Sequence, residues 1–126
     1  MRWSSPSSIW SAGAWAAASS CFIDDLSGVD PKPPILWIRG ADDVIVSDTS
    51  LYDMGFLGSL GAVPGWPGAD QWPPQPMVAQ TRGVLDGYAA AGGAYREVVI
   101  ADSGHGPHLD HPAEFIDALL GTLEAT

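Results

Sequence analysis

Basic side chains are scarce in this chain. Five Lys and Arg stand against fifteen Asp and Glu, a formal charge of −10. Phosphate backbones are held by clustered Lys and Arg, and the five here are scattered, so no nucleic-acid function is expected. The same deficit argues against an anionic membrane surface. The acidity reads as a device for solubility. Long apolar runs are also missing. No stretch of about eighteen apolar residues occurs, so no membrane span is expected. Cys21 is the single cysteine, and it has no partner for an internal disulfide. That fits a reducing compartment, and a cytoplasmic location is the expectation. No basic residue neighbours Cys21 to lower its pKa, so it reads as a small buried apolar side chain rather than a nucleophile. No internal repeat is present.

What remains is an ordered composition: 46% hydrophobic, with six Trp in 126 residues, the size of one small domain. The opening "MRWSSPSSIWSAGAWAAASSCF" faintly resembles a lipoprotein signal. Ser and Pro interrupt its apolar part, however, and it lacks a compact apolar core. Trp10, Trp15, Ala18 and Phe22 share one helical face instead, which predicts a helix. "SGVDPKPP" then reads as a turn and linker, closing a first segment at residues 1–32.

Residues 33–126 carry the alternation of a small α/β unit. "ILWIRG" and "YREVVIAD" are short apolar runs suited to parallel strands covered on both faces. "PMVAQTRGVLDGYAAAGG" predicts a helix with Val78, Thr81, Leu85 and Tyr88 on one face and Gly92-Gly93 as its stop. Gly83 and Gly87 weaken it. "PAEFIDALLGTLEA" predicts a last helix with Pro112 at its first position and Phe115, Ile116, Leu119, Leu120 and Leu123 along one side. Between the first strand and the middle helix, residues 49–75 are dense in Gly and Pro and read as a long loop. The expected fold is therefore α/β: about two parallel strands, three helices and a long Gly/Pro/Trp-rich loop. Two parallel strands make a very small sheet with both edges open, which looks like one end of a larger one.

All three histidines, His105, His108 and His111, lie in "IADSGHGPHLDHPAEF". Spacing of three converges on a metal only within a helix, and Gly104, Gly106 and Pro107 make this stretch a loop, so no metal site is expected. His111 sits at the helix start as a poor N-cap. Ser103 has neither an elbow nor an oxyanion hole beside it and is a poor nucleophile. The loops beyond the two strands bring Asp42 and Asp43 towards His105 if the strands are neighbours. An Asp beside a His fixes its tautomer and stabilises the imidazolium, as a general base requires. Asp42 is the alternative acid, or a capping residue for the loop.

"PPILWIRGADDVIVSD", followed some sixty residues later by "VIADSGHGPHLDHPAEF", resembles the C-terminal part of the α/β-hydrolase fold over residues 33–124. In that family a strand ends in G-x-x-D, here Gly40 and Asp43. The next ends in G-H followed by P-h-x-[ED]-x-P, here Gly104, His105, Pro107, His108, Leu109, Asp110 and Pro112. The resemblance implies His105 as catalytic base and Asp43 as triad acid. It also implies hydrolysis of a small, largely apolar ester or a related electrophile, with no cofactor. The family's nucleophile stands on a G-x-S-x-G elbow upstream of the acid. None of the serines here has a Gly two residues before it, and no His precedes His105 to build an oxyanion loop. The expectation is a fragment holding two members of a triad and inactive alone, whose partner is the missing N-terminal part of the fold. Residues 1–32 would then be the remnant of a helical cap with its linker. Residues 49–75 would be an extra lid, with Phe56, Trp66 and Trp72 as pocket walls or simply as packing for the loop. The alternative is a non-catalytic remnant or a small acidic interaction module.

Overall fold

A computed structural model describes residues 26–124; the helix expected around Trp10 and Trp15, and Cys21, lie outside the described residues. The element order from Ile35 is β1 (Ile35–Gly40), α1 (Met54–Ser59), α2 (Met77–Ala90), β2 (Tyr95–Ile100), α3 (Pro107–Asp110) and α4 (Pro112–Leu123). β1 and β2 pair in parallel, Ile35 opposite Tyr95 through Gly40 opposite Ile100. The described residues are thus α/β with two parallel strands, and Pro33-Pro34 stand just ahead of β1, where a missing N–H does not break the ladder.

The pleat sorts the strand residues into two faces. Ile35, Trp37 and Arg39 share one with Tyr95, Glu97 and Val99; Leu36, Ile38 and Gly40 share the other with Arg96, Val98 and Ile100. α2 meets the first face through polar contacts. Arg82 Nη2 and Arg39 Nε reach Glu97 Oε1 at 2.9 and 2.7 Å, both guanidinium groups lie near the Trp37 ring, and the Tyr95 hydroxyl donates to Asp86 at 2.6 Å. The Arg82 hydrogen bond is the main reason Glu97 titrates below its ordinary value, helped by Arg39 and opposed by burial. Val78, Leu85 and Tyr88 are buried on α2, as its periodicity predicts, and the Tyr88 hydroxyl donates to the Pro33 carbonyl. Gly92, at φ +92°, ends α2: Gly93 N–H bonds to Tyr88 O and Gly92 N–H to Ala89 O, the paired bonds of a Schellman stop.

Three expectations need correction. Residues 49–75 are not a structureless loop: α1 forms within them. Asp53 caps it, accepting from Gly55 N at 2.8 Å and from Gln75 N with its other oxygen. The stretch after His105 is not all loop either, because Pro107 opens the one-turn α3; α1 and α3 are the two helices beyond those the sequence reading places between β1 and the end of the described residues. The apolar side of α4 is not buried. Ala118 is the buried residue there, while Ile116, Leu119, Leu120 and Leu123 are 41–64% exposed. The reason is width: strands lie about 4.8 Å apart, so two of them offer less surface than a helix face needs.

Candidate functional site

The loops leaving the ends of β1 and β2 are clipped together. Ala41 N–H bonds to Ile100 O at 2.8 Å and Asp42 N–H to Ser103 O at 2.9 Å. A Cβ on Gly40 would lie 2.1 Å from Gly104 O and 2.2 Å from Ser103 O, so only glycine allows this approach. The clip brings Asp43 and His105, 62 residues apart, into contact: His105 Nδ1 lies 2.9 Å from Asp43 Oδ2. With the carboxylate as acceptor, Nδ1 carries the proton and donates. Nε2 makes no hydrogen bond among the described residues.

The two side chains differ in setting. That of Asp43 is 9% exposed and that of His105 is 56% exposed. The second Asp43 oxygen, Oδ1, accepts from Ile45 N at 2.8 Å and Val46 N at 2.9 Å. Burial alone would raise the Asp43 pKa. The His105 hydrogen bond, the Val46 and Ile45 N–H groups and the His105 charge outweigh it and hold the carboxyl below its ordinary value. Asp43 is therefore an ionised acceptor fixed by its own loop. Asp42 is exposed and joins the site through its backbone; the loop-capping role available to it falls to Asp43.

The other histidines diverge. The His108 ring lies 5.8 Å from that of Phe115. His111 Nε2 donates to Asp102 O at 3.2 Å and Nδ1 lies 3.5 Å from Glu114; the His111 side chain does not cap α4. No metal-binding cluster occurs among the described residues. Ser103 is 1% exposed and its hydroxyl donates to Asp110 Oδ2 at 3.1 Å, an oxygen that also accepts from Gly104 N at 2.9 Å. Neither contact follows from the sequence, where Asp110 reads only as one letter of a motif and Ser103 only as a poor nucleophile. The usable signal is a small hydroxyl residue two places before the histidine and an acid seven places after that hydroxyl.

Phe56, Trp66 and Trp72 belong to a separate arrangement. Trp66 packs on Gly58 of α1 and donates Nε1–H to Trp72 O at 3.1 Å; Phe56 is half-buried and Trp72 is exposed. No hydrogen bond or ring contact joins them to Asp43 or His105 among the described residues. Comparison with protein-family models, with curated proteins and with solved structures gives no match.

Proposed function

We propose that this chain is the acid- and histidine-bearing part of an α/β-hydrolase-type enzyme. His105 Nε2 takes the proton of a nucleophile as general base. Asp43 holds the imidazole in the Nδ1–H form and stabilises the imidazolium that results. The substrate class is a small, largely apolar ester or related electrophile. The observation carrying this reading is the 2.9 Å contact of His105 Nδ1 with Asp43, which leaves the opposite nitrogen free.

The nucleophile comes from polypeptide outside these residues, and two features favour a strand beside β1 as its source. Ile35 and Ala41 donate to Ala94 and Ile100 on the β2 side. By the two-residue repeat, the N–H groups of Leu36, Ile38 and Gly40 point to the other edge, which carries no strand among the described residues. β1 is also the more apolar strand, with Arg39 as its single charge against Arg96 and Glu97 in β2, and the more apolar strand suits the interior of a sheet. Phe56, Trp66 and Trp72 enter as lid residues at most.

The test starts with the DNA upstream of Met1. An in-frame G-x-S-x-G about a hundred residues before Asp43 supports the reading. Expressed with that part, the protein should hydrolyse p-nitrophenyl esters, and His105→Ala should lower kcat about 10⁶-fold. A close upstream stop codon without such a motif would leave the second reading, an interaction module. The exposed apolar side of α4 favours that alternative.

A further inference from the structure

We infer that Asp110, acting through Ser103, is a positioning residue that sets the geometry of the Asp43–His105 pair. His105 is carried by a loop with two glycines, and its 56% exposed side chain has little packing of its own to hold it. One carboxylate oxygen ties the loop down next to His105. Asp110 Oδ2 accepts from Ser103 Oγ at 3.1 Å and from Gly104 N at 2.9 Å, the residue immediately before His105. Ser103 passes the restraint across the site, because its carbonyl accepts the Asp42 N–H at 2.9 Å, one residue before Asp43. Asp110 is thus linked through Ser103 to the backbone of both loops that carry the pair.

α3 is the lever that places this carboxylate. Leu109 and Asp110 N–H groups bond to Gly106 O at 2.8 and 3.1 Å, and His111 N–H bonds to Pro107 O at 2.9 Å. That single turn folds Asp110 back over the residues before His105. Its Oδ2 satisfies the hydroxyl of a residue that is 1% exposed, so removing it leaves Ser103 without its acceptor as well as freeing the loop. The oxygen acts on the Nδ1–Oδ2 contact without touching either partner. The inference concerns the geometry of the pair, and it rests on the hydrolase reading only for its catalytic consequence.

The experiment reads the His105 ring in the full chain by two-bond ¹H–¹⁵N spectra, with the signals assigned through His105→Gln. Wild type should show the Nδ1–H form as the dominant neutral tautomer. Asp110→Ala should lower the ratio of Nδ1–H to Nε2–H forms about tenfold, the equivalent of one lost charge-assisted hydrogen bond. Asp110→Asn, which keeps one acceptor oxygen, should retain part of that preference, and Ser103→Ala should lose part of it. Leu85→Ala removes a buried side chain from α2 and should leave the tautomer unchanged. An unchanged ratio in Asp110→Ala overturns the inference. So does an equal loss in Leu85→Ala, which would reduce the effect to general destabilisation. Where Asp110→Ala does not fold, unchanged ratios in both Asp110→Asn and Ser103→Ala overturn it. Asp43→Asn separates the two levels. If it leaves the tautomer untouched, the pair itself is refuted and the proposed function falls with it. If it abolishes the preference while Asp110→Ala does not, only the positioning role falls.

Discussion

Asp43 combines two tasks that are often split between residues. One oxygen fastens the loop through Ile45 and Val46, and the other orients His105. Its carboxyl is held below the ordinary 3.8 because these partners outweigh the cost of burial. Unfolding removes the partners and returns the group to its ordinary value. Between the two values the unfolded chain binds the proton and the folded chain does not, so stability rises with pH there. The contribution is complete above the ordinary carboxylate range and is lost as pH falls through the lowered folded value. The amide shifts of Ile45 and Val46 should therefore titrate with a midpoint below 3.8, and a midpoint at or above it would refute the arrangement. Asp102 tests backbone strain instead. It sits at φ +51° at the head of the histidine loop. Asp102→Gly should leave stability unchanged or slightly raised, whereas Asp102→Val should cost about 2 kcal/mol, measured by urea midpoints.

At the scale of elements, some of the structure was legible and some was not, for identifiable reasons. β1 and β2 announce themselves as short apolar runs bounded by proline and glycine, and α2 by its buried stripe and double-glycine stop. The meeting of Asp43 with His105 follows once the strands are placed side by side in parallel. α1 was hidden because Gly55 and Gly58 count against a helix locally. Both glycines answer to tertiary contacts: a Cβ on Gly55 would meet Pro73 O at 2.3 Å, and one on Gly58 the Trp66 ring at 2.3 Å. Local sequence carries no trace of such a neighbour. The same contrast separates Gly40 from Gly83. A Cβ on Gly40 collides with backbone atoms of Ser103 and Gly104, which cannot swing aside as a side chain does. Gly40→Ala should cost about 3 kcal/mol and disturb the His105 ring signals. Gly83, inside α2, has nothing within 4 Å of its missing Cβ. Gly83→Ala should raise stability by about 1 kcal/mol through helix propensity alone, seen as a higher urea midpoint with unchanged His105 signals.

At the scale of the whole molecule, the distribution of apolar side chains is the governing fact. Among the described residues, Val78, Leu85, Tyr88, Ile100 and Ala118 are the buried hydrophobic core, whereas fourteen large hydrophobic residues are exposed. A core of that size returns little against a backbone ordering cost of roughly 1–2 kcal/mol per residue. β1, meanwhile, turns a row of N–H and C=O groups to an edge without a neighbour among the described residues. A further strand beside β1 would pair that edge and extend the surface under Ile116, Leu119, Leu120 and Leu123, four of the fourteen exposed residues. The chain alone should therefore unfold in a broad transition at modest temperature, and it should bind an apolar dye such as ANS. Charges placed on α4 discriminate this account from ordinary surface roughness. Leu119→Lys with Leu123→Lys should lower ANS fluorescence several-fold and suppress self-association in light scattering. The melting profile should hardly change, because neither side chain is buried. A steep, high-temperature transition in a monomeric wild-type sample would contradict the incomplete-sheet account, and so would a double variant that unfolds outright, since that would place the α4 face inside a core.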